Sequence, residues 1–396
     1  MWKNYLEKNL MNSEQKILLL LGGTGFIGRA VAEKYLKMGW RVIVPTRDLD
    51  INNAKEKLIN HGFDKTELQD FLKRNQLLFI FGADLNNSKW KIPKNWYKEF
   101  KKINIEPQKI LRIINFVTDT SGRKDEIIKS NVKVLESIFM IIRILKSINK
   151  KLIFCNMGSV AEKRMEKNLP PYELAKKIVR EEIYESGLCD FHFVAHYVKG
   201  KGEQKMKLAA PFLWSKLKIS YKWLFGFKVS IIDVDDLAEI IYHLLEVVKI
   251  PPREHKPIEI NVTNGELLFG EMIKNLLPED KRIIPNPIIP SWLEKLFLLF
   301  YSLVIPLIKP NDQLSRRLAN FAKRAITNPQ QLEKQKGFKT AEEIKNLALD
   351  TNNYKVLETT PNLIIVNKHH PVIYVLKEKT KKELEQIVQK ALTAYD

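Results

Sequence analysis

Short, uninterrupted apolar runs alternate with segments of helical period through the first half of the chain. That alternation predicts a parallel, doubly wound α/β sheet. Lys16–Leu21, Arg41–Pro45, Leu77–Phe81, Ile110–Phe116, Lys151–Asn156 and Asp190–Val194 read as strands. Their apolar residues are continuous rather than alternating, as strands covered by helices on both faces require. Between them, Arg29–Met38 reads as a helix closed by Gly39, and Ile127–Ile148 as a long helix with apolar residues at helical spacing.

After Gly200 the pattern loosens. Lys228–Val234 and Pro257–Val262 read as strands, with helices over Asp235–Val248 and Glu266–Leu277, which together make a smaller α+β lobe. Three further strand-like runs, Tyr354–Glu358, Leu363–Asn367 and Val372–Leu376, precede a charged helix over Lys381–Ala394. The expected organisation is therefore an N-terminal extension (1–14), a doubly wound α/β domain (15–200), a smaller lobe (201–350) and a small appended βββα-like unit (351–396). The most apolar stretch, Trp292–Ile308, is short for a bilayer span, carries Glu294 and Lys295 and contains Pro306. It reads as a buried or interfacial helix.

The first strand runs into Gly22-Gly23-Thr24-Gly25-Phe26-Ile27-Gly28 and then into a helix. The first glycine of such a turn permits a tight bend, the second lets a pyrophosphate approach the backbone, and the third lets helix and strand pack closely. The helix start offers free N–H groups and a positive dipole end to phosphate. The bare glycine spacing is weak evidence, but its place between strand and helix inside a βαβ unit strengthens it. The second strand ends in Pro45-Thr46-Arg47-Asp48. A carboxylate there would accept hydrogen bonds from the ribose 2′-OH of NAD, whereas a guanidinium suits the 2′-phosphate of NADP. Arg47 favours NADP(H), with Arg29 as a second positive charge. NAD(H) is the weaker choice, in which Asp48 holds the ribose and Arg47 is solvated.

The net charge of +20 changes the picture only slightly. The basic residues are 52 Lys and 14 Arg, dispersed along the chain, whereas base and phosphate recognition favours the forked guanidinium. Nucleic-acid binding is therefore disfavoured, and an anionic membrane surface stays open. Lys3, Glu7 and Lys8 interrupt the N-terminus, so it does not read as a signal peptide. Two cysteines, Cys155 and Cys189, can build neither a disulfide framework nor a four-ligand zinc site, and they suit a reducing compartment. The expected location is cytoplasmic, with a peripheral place on the inner face of a membrane as the variant. His192 and His196, in or beside an apolar strand, read as packing residues, and no metal is expected.

With these residues placed, the chain resembles the extended and atypical short-chain dehydrogenase/reductases over roughly Lys16 to Leu277, plus Gly337-Phe338, which implies a nucleotide-binding Rossmann domain over 15–200 and a substrate-binding lobe over 201–350. The run GGTGFIGR followed by VIVPTR is most similar to the branch of the NADPH-binding accessory subunit of respiratory complex I. Further positions match in order: Gly82-Ala83-Asp84-Leu85, Asn115-Phe116-Val117, Asn131, Val198–Glu203 and Ile232–Ala238. The resemblance implies that Asp84 and Leu85 contact the adenine and that Phe116 and Val117 line the path of the cofactor. It also implies a catalytic Tyr172 with Lys176, in the run Tyr172-Glu173-Leu174-Ala175-Lys176. In the family Tyr is the general acid/base and Lys also holds the nicotinamide ribose. Residues four apart share a helix face, and a nearby ammonium favours phenolate in a group whose ordinary value is near 10.

The third catalytic position departs from the pattern. The family places a hydroxyl at the end of the fifth strand. Here Met157 stands in that place, Ser159 follows two residues later, and Asn156 is a substitute donor. The Arg-Pro pair common after the sixth strand is replaced by Val194-Ala195. Two readings follow. In one, the chain is an NADP(H)-dependent oxidoreductase or epimerase-like enzyme acting on a small apolar, lipid-like molecule received by the aromatic stretch Leu213–Phe227. In the other, it is a non-catalytic NADPH-binding subunit of a membrane-associated complex. Family enzymes often dimerise through the helices corresponding to Ile127–Ile148 and Tyr172–Glu185, so a homodimer is a further expectation.

Overall fold

The computed structural model describes residues 16–119, 123–163, 169, 171–203, 228–248, 256–268, 300, 341–358, 362–367, 369–370 and 372–377. The N-terminal extension, Leu213–Phe227, Trp292–Ile308, Gly337-Phe338 and the helix expected over Lys381–Ala394 lie outside them. Two compact units divide the chain. The first comprises Met1–Met157, Ile178–Phe193 and Ala238–Ile258; the second comprises Gly158–Lys177, Val194–Leu237 and Glu259–Asp396.

Unit 1 is a parallel sheet in the order expected of a dinucleotide-binding fold, 3-2-1-4-5-6. Its strands are β1 (Ile17–Leu21), β2 (Arg41–Pro45), β3 (Leu77–Ile80), β4 (Ile110–Asn115), β5 (Ile153–Ser159) and β6 (Phe191–Ala195). β1 pairs in parallel with β2 and β4, β2 with β3, and β4 with β5. Every residue of β1 is buried, which explains its unbroken apolar run. The helices are α1 (Phe26–Lys37), α2 (Ile51–Asn60), α3 (Lys65–Lys73), α4 (Pro93–Lys102) and α5 (Lys124–Ile148).

Local chemistry marks the helix starts. Asp50 accepts from the backbone N–H groups of Asn52 and Asn53 at 2.8 and 3.0 Å, and Asp64 accepts from Thr66 and Glu67 at 2.9 Å each. Such caps are each worth about 1 kcal/mol. Pro93 opens α4 at a position where its missing N–H costs nothing. The core joins Leu19, Leu21, Ile113 and Phe154 of the sheet to Ile138 and Ile142 of α5, with Trp90 and Trp96 edge-to-face at 4.7 Å.

The late stretch Ala238–Ile258 belongs to unit 1 and carries a largely buried ion pair with its sheet. α7 (Val234–Tyr242) continues into π-helical turns over His243–Val248, where a single α-helix had been expected. Glu246 in those turns grips Arg112 of β4 through two bonds, at 2.7 and 3.1 Å. The Arg112 guanidinium also lies over Trp40, at 5.7 Å from the ring centre, and the ring of Tyr35 meets Trp40 and Tyr242 edge-on.

Unit 2 contains two sets of strands. β7 (Tyr197–Lys199), β8 (Lys228–Asp233) and β10 (Gly265–Leu268) form one sheet in the order β10-β8-β7. β10 occupies the start of the segment expected to be a helix from Glu266, because its backbone pairs antiparallel with β8. The expected tail strands are present as β11 (Tyr354–Glu358), β12 (Asn362–Asn367) and β13 (Val372–Lys377), paired antiparallel in sequence. β13 then pairs in parallel with β9 (Ile258–Thr263), so the tail extends a sheet instead of folding on itself. A helix, α8 (Ala341–Leu349), covers these strands with Ile344 and Ala348 against Leu363, Ile365 and Leu376.

Candidate active site

The glycine turn is built as its spacing implies. Gly22 has φ 77°, a conformation that side chains with a Cβ resist, and the N–H of Gly25 closes the turn on the Gly22 carbonyl at 3.1 Å. Gly28 packs so closely that a Cβ would stand 2.2 Å from the Gly22 oxygen. α1 then begins at Phe26 with no side-chain cap and no acidic residue in its first turn. Its leading N–H groups and the positive end of its dipole are thus left for an anion. Thr24, Gly25, Phe26 and Ile27 are all partly exposed at this point.

The end of β4 meets the same turn, and the neighbouring ends of β2 and β3 are bonded to each other. The N–H of Phe116, just past β4, donates to the Leu21 carbonyl at 2.9 Å. Phe116 and the Val117 methyl group lie 3.3 Å from where a Gly22 Cβ would be, so both residues wall the turn. At the ends of β2 and β3, the N–H groups of Gly82 and Ala83 donate to the carbonyls of Asp48 and Thr46 at 2.8 and 2.7 Å. Asp84 is half-buried there and Leu85 is buried, its carbonyl held by the Ser137 hydroxyl at 2.8 Å.

The charged candidates separate. Arg47 is exposed at the end of β2. Arg29 is 2 % exposed and bonded to Glu33 one turn along α1 at 2.9 Å, so its charge is answered inside the helix. Asp48 is held by the Thr46 hydroxyl at 2.7 Å and by the Lys57 ammonium. Burial pushes its carboxyl upward, but those two bonds and the charges of Lys57 and Arg47 hold it below the ordinary aspartate value. Asn131 of α5 binds the backbone of Asp119, with its amide oxygen receiving the N–H at 3.1 Å and its amide nitrogen reaching the carbonyl at 2.8 Å. It thereby fixes the loop after β4.

The catalytic candidates belong to unit 2. α6 (Pro171–Glu185) carries Tyr172 in its first turn, partly exposed, and Lys176 one turn later, buried. Ser159 ends β5; its N–H donates to Glu162 at 3.0 Å and its hydroxyl oxygen accepts the N–H of Ala161 at 3.3 Å. Met157 is buried. Asn156 does not serve as a free substitute donor, because its amide bonds to Asn115 and His192.

Two features escaped the sequence reading. His192 packs as expected, its ring edge-on to Tyr184, but it is also a member of that polar chain. Lys163 forms an ion pair with Glu259 at 2.5 Å, with Asn261 bonded to both. Beside it, burial and the Lys163 charge push the His196 imidazole well below its ordinary value. The signal for the first feature was three polar residues, Asn115, Asn156 and His192, standing in otherwise apolar strands. Among the described residues no cluster of His, Cys, Asp and Glu is placed to hold a metal ion, and no helix is long and apolar enough to cross a membrane.

Residues 18–181 match the NAD dependent epimerase/dehydratase family. No curated protein sequence matches the chain. Among solved structures, the terminal R domain of the myxalamid PKS-NRPS biosynthetic pathway superposes with a TM-score of 0.55 at 12% identity, covering 78% of this chain and 79% of that one. The reductase domain of the aureusimine biosynthetic cluster gives a TM-score of 0.51 at 14% identity, covering 79% of this chain and 90% of that one. At such identities the structures establish the fold alone. Residues 18–181 are thus similar to the NAD dependent epimerase/dehydratase family, and the superpositions show a fold of the same α/β type.

Proposed function

We propose that the chain is an NADP(H)-dependent oxidoreductase or epimerase-like enzyme acting on an apolar small molecule. The observation that carries this reading is the uncapped start of α1 behind a glycine turn walled by Phe116 and Val117. The turn would hold the pyrophosphate, and Asp84 and Leu85 the adenine. Asp48 is already engaged by Thr46 and Lys57 while Arg47 is exposed, and this division supports a 2′-phosphate over a free ribose hydroxyl.

Bound there, NADP(H) supplies or accepts a hydride. Tyr172 gives or takes the accompanying proton at its phenol oxygen. Lys176, one helical turn on, favours the phenolate through its charge. The apolar substrate class rests on sequence alone, on the Trp, Tyr and Phe content of Leu213–Phe227. A peripheral membrane location rests in the same way on Trp292–Ile308 and on net charge.

The test is titration of the purified protein with NADPH and NADH, in wild type and Arg47→Ala. Loss of a charged hydrogen bond worth about 1.5–3 kcal/mol should weaken NADPH roughly tenfold or more and leave NADH unchanged. Equal affinities, indifferent to the substitution, would remove the NADP assignment. The geometry of Ser159, Met157 and Asn156 favours a second reading, a non-catalytic NADPH-binding subunit of a membrane-associated complex. Tyr172→Phe separates the two. An enzyme loses roughly a hundredfold or more in turnover and keeps NADPH, whereas a structural subunit has no turnover to lose.

A further inference from the structure

Asn115, Asn156 and His192 stand on adjacent strands β4, β5 and β6, and none is more than 1 % exposed. The Val117 N–H donates to Asn115 Oδ1 at 2.9 Å, Asn115 Nδ2 donates to Asn156 Oδ1 at 2.8 Å, and Asn156 Nδ2 faces His192 Nδ1 at 3.2 Å. The direction of every link follows from the first. A backbone N–H can only donate, so Asn115 must present its oxygen to Val117 and its NH2 to Asn156. Asn156 then presents its own NH2 to His192. Nδ1 must accept that bond, and the proton of the neutral ring sits on Nε2.

We propose that His192 is a positioning residue: through two amides it orients the Phe116–Val117 turn against the glycine loop. With His192 unable to accept, the Asn156 amide loses one of its two bonds and can turn over. It would then present NH2 to the NH2 of Asn115. Asn115 can answer only by turning as well, which leaves the Val117 N–H facing a donor. Val117 is the residue whose methyl group lies 3.3 Å from the Gly22 Cβ position, so the disturbance arrives where the dinucleotide would lie. Leucine would fill such strands without any polar partner, and a half-satisfied buried chain is worse than an apolar one. The arrangement thus serves orientation. This inference rests on the glycine turn being the dinucleotide site.

The test combines nitrogen NMR of the His192 ring in the wild-type protein with NADPH titration of His192→Leu and His192→Asn. The expected ring signature is a protonated Nε2 and a bare Nδ1. The leucine variant should bind NADPH at least tenfold more weakly. The asparagine variant, whose amide oxygen can stand near the Nδ1 position, should return to within about threefold of wild type. A protonated Nδ1, wild-type affinity in the leucine variant, or equal loss in both variants would each overturn the proposal. The ring measurement needs no substitution, so it decides the chain of bonds even if the leucine variant fails to fold. If wild-type protein binds neither dinucleotide, the cofactor reading falls and the positioning role with it, while the ring signature still reports on the hydrogen bonds.

Discussion

Two single-methyl substitutions in the glycine turn should separate stability from binding. In Gly28→Ala the new Cβ would lie 2.2 Å from the Gly22 oxygen, 2.8 Å from the Gly23 Cα and 2.9 Å from the Gly22 carbonyl carbon. These are backbone atoms, so relief requires α1 to move off β1. Overpacking of a tight core costs about 1–3 kcal/mol, and the upper end applies where no side chain can yield. For a domain of this size about 3 kcal/mol lowers the melting temperature by about 6–12 °C. Gly25→Ala is different. Gly25 has φ −81° and ψ 172°, open to alanine, and its Cβ would meet only the Gly22 oxygen at 3.3 Å. Folding stability should stay within about 1 kcal/mol of wild type. On the proposed cofactor reading the methyl group would nevertheless stand where the pyrophosphate approaches, and NADPH affinity should fall more than tenfold, about 1.4 kcal/mol. Thermal melting followed by circular dichroism and fluorescence titration of NADPH read the two effects. Undiminished binding in Gly25→Ala, or a wild-type melting temperature in Gly28→Ala, would refute the reasoning.

Arg112→Ala leaves the Glu246 carboxylate buried without its partner and should cost about 3–5 kcal/mol in urea unfolding; a loss under about 1 kcal/mol would mean that water replaces the guanidinium. Cys155 and Cys189 are free, buried and held up by that burial, so native protein should not react with a thiol reagent that labels both after unfolding. Rapid labelling of folded protein would contradict this. Because the Asp48 carboxyl is held low in the folded chain, its stabilising effect is complete above the unfolded value near 4. It disappears as pH falls through the folded value. The stability difference between wild type and Asp48→Asn should therefore shrink on acidification below that point, and a pH-independent difference would count against the Lys57 and Thr46 bonds.

The strands were legible because burial on both faces leaves a continuous apolar run that composition alone exposes. The ranges of β2 and of the tail strands match their expectations to within a residue. The glycine turn was legible because glycine is forced at Gly22 by backbone geometry and at Gly28 by space. Side-chain pairings were not, since they depend on which surfaces meet. Arg29 and Arg47 look alike in sequence, yet one is spent on Glu33 and the other faces solvent. Glu246 gives no local sign that it answers Arg112, 134 positions earlier. The segment at Glu266 carried a helical pattern, but pairing of Gly265–Leu268 with β8 overrides it.

That distant pairing of Arg112 with Glu246 bears on the order in which the chain can be made. Domains generally fold as units as they leave the ribosome, yet unit 1 needs residues up to Ile258 before its own parts are complete. Until Glu246 emerges, the nascent sheet must hold the Arg112 charge beside Trp40 and Tyr35 with no carboxylate to meet it. A protein truncated after the family-matched residues 18–181 would stay in that condition permanently. Expressed alone, it should be more prone to aggregate and to proteolysis than the same residues within the full chain.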